Sequence, residues 1–596
     1  MAGFQWEGKP IDVQFRSLDP RTDVPIPKIV WDTRPGEALD VQAVELDLVW
    51  SEAVTPGPAE LWWEFAVRDV QCSWTPAAQS GSVLPADWAH GYESKATRNA
   101  PVLAYMNAVG INRVTMALSE VVEPVVIQSG IHEERASILT RVKLFTTPCG
   151  PIRQYRLVLR FDTRAIHYAE ALDGVQAWWQ THDGLTVRSV VPEARNPVYS
   201  TWYSFHQALN VENLLTEVEL AAPMGCKTLI IDDGWQTSDT HRGYAYCGDW
   251  QPVQDKIPDM RKAVALMHRQ NMAVMLWYAV PFVGRQTAAW SILHDKLLGF
   301  NDRLEAGVLD PRYPEVRKYL LEKYTQAVSE WDLDGLKLDF IDSFTATDPS
   351  TTPGRDFVSI ESAVVDLLNS LLRDLRRLKP NILIEFRQSY VGPVMRTWAS
   401  MLRAGDCPYD GLANRVRTLH LRLLSGHTPV HTDMMMWNPA DSVESAALQL
   451  VNGLFGIPQI SVKVSELPAN HRRMLGFWLE FWARNQTLLL DGELRAESPE
   501  MGFPRVSVQD RHHKLSVGYL SDIVWSLDAH GPAHQIFING TLSSGIHVRS
   551  DDHFVGRLKI FDCQGNSMED GPVVWEASGS HDLGVPPAGI VLLDET

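Results

Sequence analysis

Five acidic positions define the chemistry open to this chain: Asp232 and Asp233 in TLIIDDGW (228–235), Asp339 in GLKLDF (335–340), Asp406 in MLRAGD (401–406) and Asp433 in TPVHTDM (428–434). All five lie at or near the ends of short apolar runs. Two carboxylates facing each other across a gap can cleave a glycosidic bond, one attacking carbon or activating water while the other protonates the leaving oxygen. Asp339 and Asp406 are expected to be that pair. Lys337 precedes Asp339 by two residues, on the same face of an extended strand, so its charge should keep Asp339 ionised, as a nucleophile must be. Asp339, across a gap of about 5 Å, should in turn raise the pKa of Asp406, as suits an acid/base. Asp410 stands where a helix beginning L-A-N-R-V should start, so it is expected as that helix's cap or as a secondary contact.

Each carboxylate also has a plain structural reading. An aspartate after a strand commonly caps the next helix, and Asp232-Asp233-Gly234 would serve as a turn. Convergence on one rim favours chemistry, because like charges gathered together are costly unless function retains them.

The elements that must position these residues follow from hydrophobic patterning. From Ala177 onward, apolar runs alternate with helical stretches: 198–205, 228–235, 273–280, 335–340, 382–388, 401–406, 428–434 and 458–464. The clearest helix puts Val364, Leu367, Leu368, Leu371, Leu372 and Leu375 on one face, the 3.6-residue period. Eight such units fit a (β/α)8 barrel of roughly 250 residues plus insertions, whose active site lies at the C-terminal ends of the strands. A doubly wound sheet would need a glycine-rich turn after its first strand, and none is present. The turn-rich loop 346–356 follows the fourth run and belongs to the barrel mouth.

Before the barrel, Val44, Leu46, Leu48 and Trp50 alternate with polar residues, and Tyr155, Leu157, Leu159 and Phe161 repeat the pattern, as in an antiparallel sandwich. After it, RVSVQD, KLSVGYL, QIFING, RLKIFD and GIVLLD read as a small antiparallel β-domain. The chain is therefore expected to be multidomain: an N-terminal β-sandwich over 1–176, a catalytic barrel over 177–500 and a C-terminal β-domain over 501–596.

Composition narrows the partners. Lys+Arg 54 against Asp+Glu 73 leaves a net charge of −19 over 596 residues, which argues against nucleic acid and against an anionic membrane surface. The N-terminus shows no basic and apolar leader, and the most apolar segment, Met272 to Val283, is too short to span a bilayer. Six scattered cysteines without a C-x-x-C pair suggest neither a zinc cluster nor a disulfide framework. A cytoplasmic location is expected.

Taken in order, the motifs resemble clan D of the glycoside hydrolases, and most closely family 36, the α-galactosidase family. The match begins at Trp202 and runs through IDDGW (231–235), GDW (248–250), LDPRYPEVRKYL (309–320) and DGLKLDF (334–340) to AGD (404–406). The resemblance implies a retaining hydrolase of α-linked sugars, with Asp339 as nucleophile and Asp406 as acid/base. It implies that Asp232 and Asp233 hydrogen-bond the O4 and O6 hydroxyls of galactose and that Lys337 holds ring hydroxyls. Trp235 and Trp277 would be aromatic walls, and Arg403 a neighbour of the acid/base.

Two motifs depart from the family. Where family 36 carries Cys-Ser-Gly-Gly-Gly after the fifth strand, beside the sugar's C2, this chain has EFRQSYVGP (385–393), so Arg387 is expected to reach the substrate there. Where it carries W-F-E-P-E after the third strand, this chain has WYAVP (277–281). Both departures bear on sugar identity and mark a divergent branch.

No metal and no cofactor are expected: His206, His431 and Asp433 give too few ligands for a metal-dependent barrel. His431 and Asp433 are instead expected to hydrogen-bond substrate or shape the rim. The alternatives are a raffinose-synthase-like transglycosidase, an α-glycosidase for another sugar such as α-N-acetylgalactosamine, and a non-catalytic glycan-binding protein. An oligosaccharide or glycoside is the expected partner, with a homo-oligomer left open.

Overall fold

The computed structural model describes residues 2–21, 24–77, 83–346, 353–528 and 530–595; residues 347–352 of the turn-rich loop thus lie outside the described residues. The chain opens with two six-stranded sheets whose strands pair antiparallel. Alternation dictates their packing. Val44 and Leu46 stand opposite Leu159 and Leu157, and all four are buried with Leu61, Trp63 and Phe65 between the sheets.

The central sheet is the expected barrel. Its eight strands are Val198–Ser200, Thr228–Ile231, Ala273–Ala279, Gly335–Asp339, Leu383–Arg387, Met401–Arg403, Val430–His431 and Gln459–Ile460. In space the order runs seven to one and then eight, every pairing parallel. A parallel bridge from His431 to Ile457 closes the ring. Each strand lies within one of the apolar runs, because strands buried on both faces read as apolar segments. The helix Ile360–Leu378 buries Val364, Leu367, Leu368, Leu371, Leu372 and Leu375, and Ser359 caps it by accepting from the Ser362 N–H. One excursion was not legible. Between strands three and four, Phe282–Gly284, Leu297–Asn301 and Ala306–Leu309 form a small antiparallel sheet beside the barrel mouth.

The C-terminal unit has a seven-stranded and a three-stranded sheet, mainly antiparallel, with two parallel pairings, His513–Gly518 on His534–Asn539 and Val524–Leu527 on Ile546–Ser550. The sandwich touches the barrel where the site lies. Asn99 N–H donates to the Ser389 carbonyl at 2.8 Å, in the loop after strand five. Lys95 pairs with Glu361 at 2.9 Å, and Ser359 and Ser362 donate to Glu123, so the helix after strand four is anchored as well. All six cysteines are unpaired. Among the described residues no helix is long and apolar enough to cross a membrane.

Candidate active site

The inward-facing residues change character along each barrel strand. With alternating side chains, strand two presents Ile230 and then Asp232, strand four Gly335, Lys337 and Asp339, strand five Leu383, Glu385 and Arg387, and strand six Met401 and Arg403. The lower residues Val198, Ile230, Met275, Leu383 and Met401 close the floor with Ala194. Above that floor charged, polar and aromatic residues predominate, and parallel register sets Lys337 beside both Trp277 and Glu385.

Asp339 is the best-supported carboxylate of the group. It is 6% exposed, and four donors converge on it. Oδ1 accepts from Arg387 Nε at 2.6 Å, the Tyr390 hydroxyl at 3.1 Å and the Phe340 N–H at 2.8 Å. Oδ2 accepts from Trp277 Nε1 at 3.0 Å. Burial alone would raise its pKa, but the charges of Arg387, Lys337 and Arg403 outweigh burial, and with the Trp277 bond they hold it well below the usual carboxylate range. Lys337 acts on Asp339 through space only; its Nζ is bonded to Asp232 Oδ2 at 2.6 Å.

Asp406 leaves strand six at the mouth, its side chain half exposed and 2.9 Å from Arg403 Nη1. The expectation of a raised pKa is corrected here. Burial and the Asp339 charge push it up, but Arg403, Lys337 and Arg387 together win, and the net direction is down. Arg403 is fully buried. Its Nη1 also pairs with Asp433, and its Nε lies 3.3 Å from Glu385 Oε1, so one guanidinium links three carboxylates.

Asp232 and Asp233 sit on a loop with little freedom. Gly234 adopts φ +115°, and a Cβ there would meet Gln207 Cα at 2.5 Å. Lys256 Nζ ties the loop to the carbonyls of Gln207, Gly234 and Thr237. Asp233 accepts from Gln207 Nε2 at 2.8 Å and Gln236 Nε2 at 2.7 Å. Burial pushes its pKa up to about 6 despite those bonds.

Of four other expected site residues, Trp235, His431 and Asp433 are placed away from the opening, and Asp410 is the helix cap it was expected to be. Trp235 is fully buried, donates to the Trp277 carbonyl at 3.0 Å and packs among Trp250, Tyr278 and Trp331; it backs the wall instead of facing the opening. His431 lies in the same layer as Arg403, below the rim. Its Nε2 contacts the Ala194 carbonyl at 2.8 Å, and burial lowers its pKa to about 4, so it is a core histidine. Asp433 is fully buried, with Tyr203, Cys407 N–H and Arg403 on its oxygens; it holds Arg403 and has no face toward the mouth. Asp410 is exposed and accepts from the Ala413 N–H at 2.9 Å, the cap of helix Gly411–Ser425. Arg387 stands at the mouth, 17% exposed and bonded to Asp339.

Several contributors escaped the sequence reading. Glu385 was one step from notice, since alternation with Leu383 and Arg387 points it inward. Tyr390, Tyr203, Gln207 and Gln236 carry no spacing signal, because Tyr390, Gln207 and Gln236 reach the site from loops and Tyr203 from the one-turn helix Trp202–Phe205. The half-buried rings around the opening are Trp202, Tyr203, Tyr244 and Phe340. Tyr244 lies against Trp277, Phe282 and Phe340.

Comparison with known proteins finds similarity in sequence over part of the chain and in fold over nearly all of it. Residues 166–396 match the Melibiase family model, less than half of the chain. α-Galactosidase 2 of Pediococcus pentosaceus is 25% identical over 194 residues, 32% of this chain and 27% of that protein. α-Galactosidase C of Emericella nidulans is 24% identical over 166 residues, 24% of this chain and 22% of that protein. The matched stretches thus span about a quarter of these curated relatives. Similarity of fold extends much further. The α-galactosidase from Lactobacillus brevis superposes with a TM-score of 0.63 at 13% identity, covering 98% of this chain and 86% of that one. The GH36 α-galactosidase AgaA from Geobacillus stearothermophilus gives 0.61 at 14%, with 98% and 87% covered. The resemblance read from the motifs is borne out: residues 166–396 form a melibiase-type domain within a chain that has the fold of glycoside hydrolase family 36.

Proposed function

We propose that this protein is a retaining exo-α-glycosidase that removes terminal α-linked sugars, galactose first among them, with the barrel over 177–500 as its catalytic unit. The observation that carries the reading is Asp339, a buried carboxylate kept ionised at the tip of strand four by four donors and three cationic neighbours. Three donors occupy Oδ1 and one occupies Oδ2, so Oδ2 keeps the freer electron pair and is the attacking atom. It forms a bond to the anomeric carbon as the glycosidic bond breaks, and Asp406 supplies the proton to the departing oxygen. Asp406 then takes a proton from water, which displaces Asp339 and releases the sugar with its configuration retained.

Asp406 must be protonated for the first step, yet Arg403 holds it ionised in the free protein. A bound sugar would cover its half-exposed carboxyl, and loss of water raises a carboxyl pKa. Asp232, Asp233 and Lys337 would take hydroxyls at the closed end of the pocket. Arg387 occupies the place beside C2 that small residues hold in the family, which leaves less room for an N-acetyl group and supports a 2-hydroxy sugar. Complexes of AgaA variants with stachyose and raffinose are known, and galactosyl oligosaccharides of that kind are the substrates we infer. The six unpaired cysteines support a reducing compartment such as the cytoplasm.

The test is a panel of aryl α-glycosides of galactose, N-acetylgalactosamine, glucose, xylose and fucose, with the product anomer followed by NMR. Release of α-galactose as first product supports the reading. Transfer to an added acceptor sugar in place of hydrolysis would indicate a transglycosidase, and binding without turnover a glycan-binding protein.

A further inference from the structure

A cavity under the barrel is lined by two arginines and, among the described residues, by no acid. Its volume is about 230 Å³, and its walls are 187–192, 376, 380–382, 399–400 and 428–429. These are the segments that enter strands five, six and seven, together with the linker that leads into strand one. The cavity therefore lies at the end of the barrel opposite Asp339.

Arg376 stands in the last turn of the helix Ile360–Leu378, where a cation suits the helix dipole. It is half-buried, and its Nη2 donates to the Trp398 carbonyl at 3.3 Å. The acid two residues before it, Asp374, pairs with Arg373 at 3.0 Å and Arg377 at 3.4 Å. Among the described residues no carboxylate pairs with Arg376 or with Arg188, which is exposed on the linker. Arg188 is close enough for its charge to act on Arg376. Burial and that charge both lower the Arg376 pKa, to about 10.

The helix end accounts for Arg376 alone. It does not account for a second arginine beside it, because like charges set together cost free energy unless something negative joins them. With 73 acidic against 54 basic side chains, a carboxylate is the common neighbour for a guanidinium in this chain, yet these two share a cavity without one. A guanidinium fork matches the oxygens of a phosphate group with paired N–H donors. Ser189 and Asn381 line the same cavity and add neutral donors. The volume is below the roughly 300–1,000 Å³ of ordinary small-molecule pockets, so it suits a phosphate group and not an oligosaccharide.

We propose that this cavity is an anion site that takes a phosphate group, free or carried on a small monoester, between Arg188 of the linker and Arg376 of the barrel helix. The site goes beyond the glycosidase reading and does not depend on it. Its occupant would clamp the linker onto the barrel and stabilise the folded chain by mass action.

The experiment is calorimetric titration of the full chain with inorganic phosphate and with glycerol 3-phosphate at constant ionic strength, on the wild-type protein, Arg188→Ala and Arg376→Ala. The wild type should bind saturably, and each variant should bind at least about tenfold more weakly, the scale of a lost charge-assisted bond. The tighter of the two ligands shows whether free phosphate or a monoester is held. Amide exchange in 187–192 and 380–382 should slow on binding. No saturable binding of either ligand would overturn the site. Binding that survives both substitutions unchanged would overturn it as well, since the anion would then sit elsewhere, as on Arg387 at the barrel mouth. Arg188→Ala keeps the test decisive if Arg376→Ala folds poorly, because the exposed Arg188 side chain makes no bond to the described residues.

Discussion

Arg387 and Asp339 are joined by a 2.6 Å bond from Nε to Oδ1, and the arginine is packed over the rings of Phe340 and Tyr390, 5.1 Å and 5.6 Å away. The carboxylate that ends strand four is thereby tied to the loop that follows strand five. That loop is in turn braced by the sandwich through Asn99 and Ser389. On the reading proposed above, the sugar's C2 side and the candidate nucleophile would share this guanidinium, and a change at either would be felt at the other.

Removing that guanidinium should shift the acid limb of activity. Asp339 must be ionised to attack, so kcat/KM falls as pH drops through its pKa in the free protein. Arg387 lowers that pKa, so Arg387→Ala should move the acid limb to higher pH. Losing one charged hydrogen bond should also cost about 10- to 100-fold in kcat/KM. Discrimination between 2-deoxy and parent glycosides should shrink. Equal losses on the two glycosides would show that Arg387 acts only through Asp339.

Asp233 offers a stability test with a definite sign. Its pKa is raised in the folded protein to about 6 from 3.8, so its contribution is most favourable below the unfolded value and is lost as pH rises through the folded value. Keeping it ionised at pH 7 costs about 3 kcal/mol as an order of magnitude. Asp233→Asn should therefore raise the melting temperature at pH 7 to 8, with little change near pH 4, while KM rises or kcat/KM falls. Lower stability at pH 7 with intact kinetics would return the residue to a structural turn.

The roles of Asp406 and Asp410 separate by leaving group. Asp406→Ala should cripple cleavage of sugar leaving groups yet spare glycosylation by dinitrophenyl or fluoride substrates, which need no proton. Asp410→Ala should cost about 1 kcal/mol of stability as a lost helix cap and leave that selectivity unchanged. If sugar binding covers Asp406, the alkaline limb of kcat lies at higher pH than that of kcat/KM. Coincident limbs would mean that the carboxyl does not change environment on binding.

The barrel was legible because its strands are buried on both faces and stand out as apolar runs ending in acids. What escaped depends on three-body geometry. Nothing in MLRAGD tells that Arg403 will be shared among Asp406, Asp433 and Glu385, and that sharing reverses the direction of the Asp406 pKa. Residue type likewise could not tell that Trp235 turns into the packed layer behind Trp277. Nor could residue type show that the His431 ring would reach the Ala194 carbonyl, because strand seven is only two residues long.

The central claim is that Asp339 forms a bond to the sugar, and its replacement by glycine with azide as external nucleophile tests that most directly. Asp339→Gly should lose essentially all turnover of an activated aryl α-galactoside. Added azide should restore part of it and yield a β-galactosyl azide, because azide enters from the face the carboxylate occupied. Substantial activity of Asp339→Gly without azide, or rescue giving an azide of α configuration, would contradict the assignment.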